Sequence, residues 1–229
     1  MKPFKSLLTL SETLLLCVKT KKDSSDIEHE LSRMALTELY SQLSTDQEKN
    51  TFWINIYNAY FQILAGRDHT QGKHIFKVKT ITIARTHFSL DDIEHGILRK
   101  YRWKKSLGYL PNLFVAPLIK KLAVRAVDYR IHFALNCGAK SCPPIAFYTL
   151  DKLDQQLDDA MYAFLSSETT VNSETKTIQT SKLLFWYQGD FGGLKGVRYM
   201  LKTVLSIENN SYALKYNSYS WEPQLENYV

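Results

Sequence analysis

Residues 52–64 run Phe52-Trp53-Ile54-Asn55-Ile56-Tyr57-Asn58-Ala59-Tyr60-Phe61-Gln62-Ile63-Leu64. Wound as a helix, this run is apolar on almost every side, and such a helix must be covered on most of them. The chain is therefore expected to fold around it. The helix is placed over 48–65, with Gly66 as its C-terminal cap. A length of 229 residues is near the upper end for one hydrophobic core, and 14 Tyr and 11 Phe supply material to build it. Asn55, Asn58 and Gln62 fall at i, i+3 and i+7 on one face. Buried amides need partners. Either they bond neighbouring backbone and lock the fold, or they orient a substrate or a catalytic His.

The remaining segments suggest an α+β single domain over 1–229, mostly helical, with a small antiparallel sheet or hairpins around the central helix. Helices are expected over 4–19, 26–43, 89–102, 112–126, 150–165, 183–191 and 194–205. Alternation over 75–84 predicts a strand, 130–136 reads as a buried strand, 212–219 as a last strand or extended tail, and 169–180 as a hairpin around Ser173-Glu174. Residues 1–24 form an N-terminal helical extension. Their apolar stretch from Leu7 to Leu16 is interrupted by Glu12 and followed by no small-residue cleavage site, so it reads poorly as a signal peptide.

The net charge of +6 is dispersed. The densest run, Arg99-Lys100-Tyr101-Arg102-Trp103-Lys104-Lys105, interleaves aromatics with cations as a stacking groove would. A solvated helix end explains it better, and nucleic acid is not an expected partner. No apolar run reaches the roughly 18 residues of a membrane span. Three Cys do not make a disulfide scaffold and fit a reducing, cytoplasmic compartment.

Two segments carry chemistry. After the cap-like start Ser89-Leu90-Asp91-Asp92, the helical phase puts Leu90, Ile93, Ile97 and Tyr101 on one stripe, and Glu94 falls inside it. A carboxylate facing a core needs a partner. His95 borders the stripe, with Asp91 one turn before and Arg99 one turn after. Glu94 is expected to be buried and paired with a cation or a His. It is either a structural ion pair, with Arg130 or another cation, or an acid or base of tuned pKa.

The second segment runs from Arg130 to Pro144. As a strand it puts His132, Ala134 and Asn136 on one face, with Cys137 at the strand end. Gly138-Ala139 offers turn N–H groups, and Lys140 is a cation that lowers the pKa of a nearby thiol. Three readings stay open. Cys137 is a nucleophile served by His132 or His95; Cys137, Cys142 and two His bind Zn²⁺; or both Cys are small core residues. Four residues separate the Cys pair and no regular His pair follows, so neither metal nor cofactor is expected.

These segments resemble the domain-of-unknown-function family numbered 547. The likeness rests on Phe52 through Ala59, Ser89 through Arg99, and Arg130 through Pro144. It extends to Phe185-Trp186-Tyr187, Asp190-Phe191 and Tyr219-Ser220-Trp221, covering 25–222. Members of that family, some fused to glutaredoxin-like or signalling modules, have no settled activity, so the resemblance implies either a redox enzyme or an interaction domain. The leading expectation is a thiol-dependent enzyme running acyl transfer, hydrolysis or thiol redox on a small molecule or peptide. Cys137 is its nucleophile, His132 or His95 the base, Glu94 and Asn136 the orienting groups, and Asn55, Asn58 and Lys140 the substrate contacts. The alternative is a non-catalytic domain for a protein partner. An enzyme is expected to have a pocket reaching Cys137.

Overall fold

The structure, a computed structural model, describes residues 6–67, 74–208 and 211–229. Its fold is α+β. The central helix is α4 (Asp46–Arg67), following α1 (Leu7–Lys19), α2 (Ser25–Arg33) and α3 (Leu36–Gln42). Phe52, Trp53, Ile54 and Ile56 of α4 have no exposed surface. α1 covers one side of it with Leu7, Leu10, Leu14 and Leu15, all buried, and Ser6 caps its start by accepting from the Thr9 N–H at 3.2 Å. Residues 4 and 5 of the expected first helix lie outside the described residues.

The single helix expected over 26–43 is broken. Met34 and Ala35 are extended. The carbonyls of Leu31 and Ser32 turn away to accept from the Ala84 and Arg85 N–H groups, both at 2.9 Å. Those donors form the turn between β1 (Ile81–Ile83) and β2 (Thr86–Phe88), which pair antiparallel. Ala84 and Arg85 both take left-handed φ, 49° and 57°, as a two-residue hairpin turn requires. The strand expected over 75–84 is thus reduced to three residues.

The cap before Glu94 forms as expected, the Ser89 N–H donating to Asp92 Oδ2 and the Asp92 N–H to Ser89 Oγ, each at 3.0 Å. The helix it starts is a π-helix over Asp92–Leu98. The Arg99 N–H reaches the Glu94 carbonyl at 2.9 Å and the Tyr101 N–H the Gly96 carbonyl at 2.7 Å. This i to i+5 winding brings residue 99 back near residue 94, which α winding would not. Gly96 is needed here, because a Cβ would come within 2.6 Å of Ile119 Cγ2. Ile119 belongs to α5 (Pro117–Leu122), which starts only where Pro117 takes its first turn.

Residues 129–133 are a 3₁₀ helix, not the strand expected over 130–136. Asp128 accepts from the Arg130 N–H at 3.0 Å, and the Arg130 guanidinium holds Asp128, Asp154 and Asp158. These bonds coil the segment against α6 (Leu153–Glu168). They also rule out Arg130 as the partner of Glu94, and the two-faced strand reading of His132, Ala134 and Asn136 goes with them. Ile131 enters the core around α4, whereas Phe133 enters a second apolar cluster with Phe164, Phe191, Val197 and Met200.

That second cluster lies among α6, α7 (Leu183–Trp186), α8 (Gly193–Leu205) and a small sheet. The sheet has the order β3 (Thr170–Asn172), β4 (Thr177–Thr180), β5 (Ala213–Tyr216). The β3–β4 hairpin is antiparallel as expected, but β5 joins β4 in parallel. The chain beyond β5 runs back along 138–145. The Lys140 N–H donates to the Glu222 carbonyl at 2.8 Å, and the Gln224 N–H to the Gly138 carbonyl at 2.7 Å.

Candidate functional site

Two of the α4 amides hold the loops that build the site. The Asn58 side chain donates to the Ala134 carbonyl at 2.9 Å and accepts from the Asn136 N–H at 3.0 Å. Asn55 does the same for Tyr148, at 2.8 and 3.1 Å. Each amide is used at both ends by backbone, and both residues are fully buried. Neither lines the cavity described below, so the function proposed here gives them a positioning role. Asn136 closes the next loop. Its amide donates to the Pro143 carbonyl at 2.7 Å and accepts from the Gly138 N–H at 2.8 Å.

That loop brings Cys137 and Cys142 together, and they are joined as a disulfide with a Cα–Cα distance of 6.2 Å. It staples one loop and nothing more, and Cys17 is free. Cys142 is buried, 5% exposed, whereas Cys137 is half-buried and opens into a cavity of about 510 Å³. Gly138 lies beneath the opening with φ 73°, where a Cβ would sit 2.5 Å from the Phe61 ring. The Tyr219 hydroxyl lies 3.4 Å from Cys137 Sγ and 3.1 Å from Cys142 Sγ, and the Cys137 N–H donates to Cys142 Sγ at 3.2 Å. Tyr219 is held by tilted ring contacts with Trp186 and Trp221, at centroid distances of 4.8 and 4.7 Å. Lys140 points elsewhere. Its ammonium pairs with Glu222 at 3.1 Å on the exposed side of the loop, where it does not touch the sulfurs.

The same cavity is lined by Glu94 and His95. Glu94 is buried and paired, as its place in the apolar stripe predicts. Its Oε1 accepts from the Tyr187 hydroxyl at 2.8 Å and lies 3.4 Å from His95 Nδ1, and its Oε2 accepts from Tyr57 at 3.1 Å. Burial would raise this carboxyl, but the neighbouring His95 and Arg99 and the Tyr187 hydroxyl outweigh it, so its pKa falls below the ordinary range. Burial and the adjacent carboxylate push both tyrosines well above theirs. Arg99 Nη1 donates to His95 Nδ1 at 2.8 Å. A guanidinium only donates, so Nδ1 is the acceptor and the proton of the neutral ring is on Nε2. Burial lowers the His95 pKa and favours that neutral form.

His132 does not join this wall. Its side chain is 1% exposed, and Nε2 donates to Asp190 Oδ2 at 2.9 Å. Asp190 in turn pairs with Arg99 Nε at 2.6 Å, both side chains being fully buried. Burial lowers the His132 pKa, while Asp190 is held below its ordinary range, its burial outweighed by His132 and Arg99. The His132 ring stacks on Tyr187 at 3.9 Å, and the Arg99 guanidinium lies 4.6 Å from the centre of the same ring. His132, Asp190 and Arg99 thus form a buried support behind Tyr187, Glu94 and His95.

The residues central to this arrangement but not assigned to it from sequence are Tyr57, Tyr187, Asp190 and Tyr219. Three of these four belong to the C-terminal aromatic motifs, which were a usable signal. Among the described residues, no cluster of three or more His, Cys, Asp or Glu is arranged to hold a metal ion, and no helix is long and apolar enough to cross a membrane.

No curated protein and no solved structure matches the chain. A family described as "Protein of unknown function, DUF547" matches residues 40–165. This span holds the three central motifs, Glu94, His95, His132 and both cysteines of the loop. The chain belongs to the DUF547 family.

Proposed function

We propose that this protein is a thiol–disulfide exchange domain in which Cys137 and Cys142 are the redox pair. The observation that carries this reading is that Cys137 opens into a formed cavity while its partner Cys142 lies buried behind it, against two hydrogen-bond donors.

Exchange starts when a substrate thiolate attacks Cys137 Sγ. The Cys137–Cys142 bond breaks, a mixed disulfide forms at Cys137, and Cys142 leaves as a thiolate. Leaving-group stability governs such steps. The Cys137 N–H and the Tyr219 hydroxyl, already within 3.2 and 3.1 Å of Cys142 Sγ, stabilise the anion. A second substrate thiolate then attacks the substrate sulfur, releasing a substrate disulfide and the Cys137 thiolate. The reverse sequence reduces a substrate disulfide and restores the pair.

Glu94 and His95 act on the substrate across the cavity. Glu94 is an acceptor for a substrate N–H or O–H, and the His95 Nε2–H is a donor. In this reading neither His is the base for Cys137. His132 Nε2 is spent on Asp190, and His95 Nδ1 is spent on Arg99. Acyl transfer through a Cys–His pair is therefore less well supported than redox exchange. The aromatic walls formed by Phe61, Phe76, Trp186 and Trp221 suit a substrate with an apolar body.

The competing reading is a non-catalytic interaction domain, favoured by the complete use of Asn55, Asn58 and Asn136 in holding backbone. Reduction of hydroxyethyl disulfide by dithiothreitol, followed as oxidised dithiothreitol forms, separates the two. Exchange accelerated by the protein and abolished in Cys137→Ser supports the redox domain. A rate equal to the uncatalysed one, with the fold intact, supports the interaction domain.

A further inference from the structure

The segment from His95 to Val127 holds eight Lys or Arg and no Asp or Glu, so it alone exceeds the chain's net charge of +6. The rest of the protein is slightly acidic. The same segment exposes the largest apolar surface: Phe114 is 96% exposed and Leu113 74%, with Leu110, Tyr109 and Trp103 also exposed.

These apolar side chains stand on ordered backbone. The limbs 101–103 and 110–112 face each other, with Trp103 N–H to Leu110 carbonyl at 2.9 Å and Asn112 N–H to Tyr101 carbonyl at 2.7 Å. Asn112 Oδ1 accepts from the Phe114 N–H at 3.1 Å, and the Tyr109 hydroxyl bonds Gln188 Oε1 at 2.9 Å. Leu113 and Phe114 therefore project from a pinned turn. Exposed Lys104 and Lys105 precede it, and exposed Lys120 and Lys121 follow on α5.

We propose that this loop docks the protein onto an anionic lipid bilayer, with Leu110, Leu113 and Phe114 entering the interface and the flanking lysines meeting acidic headgroups. Apolar side chains beside a cluster of cations, of which Lys104 pairs with Asp91, match such a surface, where hydrophobic insertion and attraction to anionic lipid reinforce each other. A nucleic-acid groove would use the cations and aromatic faces, but gives Leu113 and Leu110 nothing to contact. The docking surface is independent of the sulfur chemistry. It meets the cavity only at Lys104 and Lys105, so docking would present that side of the cavity mouth to the bilayer.

The test is co-sedimentation of the full chain with phosphatidylcholine vesicles, with and without phosphatidylserine. Binding is expected only with phosphatidylserine and is expected to weaken with salt. Leu113→Ser with Phe114→Ser, both highly exposed and therefore benign to the fold, keeps the charge and is expected to lower the affinity about tenfold or more. Lys120→Gln and Lys105→Gln are each expected to lower it about fivefold. No binding to anionic vesicles would overturn the proposal. So would binding unchanged by the double serine variant, which would mean simple charge attraction. Tighter binding to single-stranded RNA than to vesicles, sensitive to the lysines and not to Leu113, would assign the surface to nucleic acid instead.

Discussion

The Tyr219 hydroxyl sits 3.1 Å from Cys142 Sγ and 3.4 Å from Cys137 Sγ. One donor thus reaches both sulfurs of a pair whose two members differ in access. Tyr219→Phe keeps the ring against Trp186 and Trp221 and removes only this donor. A hydrogen bond to a charged group contributes about 1.5–3 kcal/mol. Disulfide exchange at Cys137–Cys142 is therefore expected to slow by about ten- to a hundredfold, with little change in thermal stability. The check is stopped-flow reduction by dithiothreitol, followed by quantifying free thiols. An unchanged rate would remove Tyr219 from the chemistry.

Labelling separates the three cysteines by state and access. Without reductant, iodoacetamide is expected to modify only Cys17, which is partly exposed and unpaired. After reduction Cys137, which opens into the cavity, is expected to label before Cys142, which is 5% exposed. Peptide mass spectrometry over a time course reads both statements. Labelling of Cys142 first would reverse the assignment of attacked and leaving sulfur.

The buried support behind the site dominates stability at one point. The side chains of Arg99 and Asp190 are both fully buried and bonded at 2.6 Å. Removing one member of such a pair leaves an uncompensated charge, at about 3–5 kcal/mol. Asp190→Asn is expected to fall in that range by urea unfolding. Arg102→Ala is expected to cost about 1 kcal/mol or less, because Arg102 stands 3.9 Å from Asp190 and its side chain is about one-third exposed. Similar losses for both would mean that the pair is not the anchor.

The same cluster fixes a direction for pH. His132 and His95 have folded pKa values below their ordinary 6.5, chiefly through burial. The unfolded chain then binds protons at a pH where the folded one does not, so stability falls as pH drops below about 6.5. Glu94 and Asp190 are also depressed, and their contribution, present above the unfolded carboxylate values, is lost as pH falls through the lower folded ones. Thermal unfolding across this range is expected to show Tm declining in two stages. His132→Gln, which keeps a donor toward Asp190, is expected to flatten the first. A Tm rising on acidification would contradict the neutral assignment of both rings.

Burial patterns carried much of this arrangement in the sequence. The all-round apolar run predicted α4, and the phase of Ser89 to Tyr101 predicted that Glu94 would be buried and paired. That phase assumed α winding, and local propensity could not show that the turn widens to a π-helix and brings Arg99 back beside Glu94. The strand expected over 130–136 failed for a tertiary reason. Its alternation of apolar residues is real, but Arg130 is held by Asp154 and Asp158 of a helix more than twenty residues away, and Ile131 and Phe133 serve two different cores. The disulfide between Cys137 and Cys142 was not among the readings of the two cysteines, because their approach depends on Asn136 folding the loop shut. Tyr187, Asp190 and Tyr219 reach the site from distant segments, and no local periodicity points to them.

Trapping the mixed disulfide tests the central claim most directly. Full-length Cys142→Ser and Cys137→Ser variants, each with Cys17→Ser, are incubated with an excess of hydroxyethyl disulfide and followed by intact mass. With Cys142 gone, Cys137 has no internal partner to resolve the adduct. Cys142→Ser is therefore predicted to accumulate one stable adduct at Cys137, and Glu94→Gln is predicted to change its rate without changing its site. Cys137→Ser, left with the buried sulfur, is predicted to react far more slowly. Equal and slow adduct formation in both variants would contradict the account, because Cys137 would then have no privileged access through the cavity.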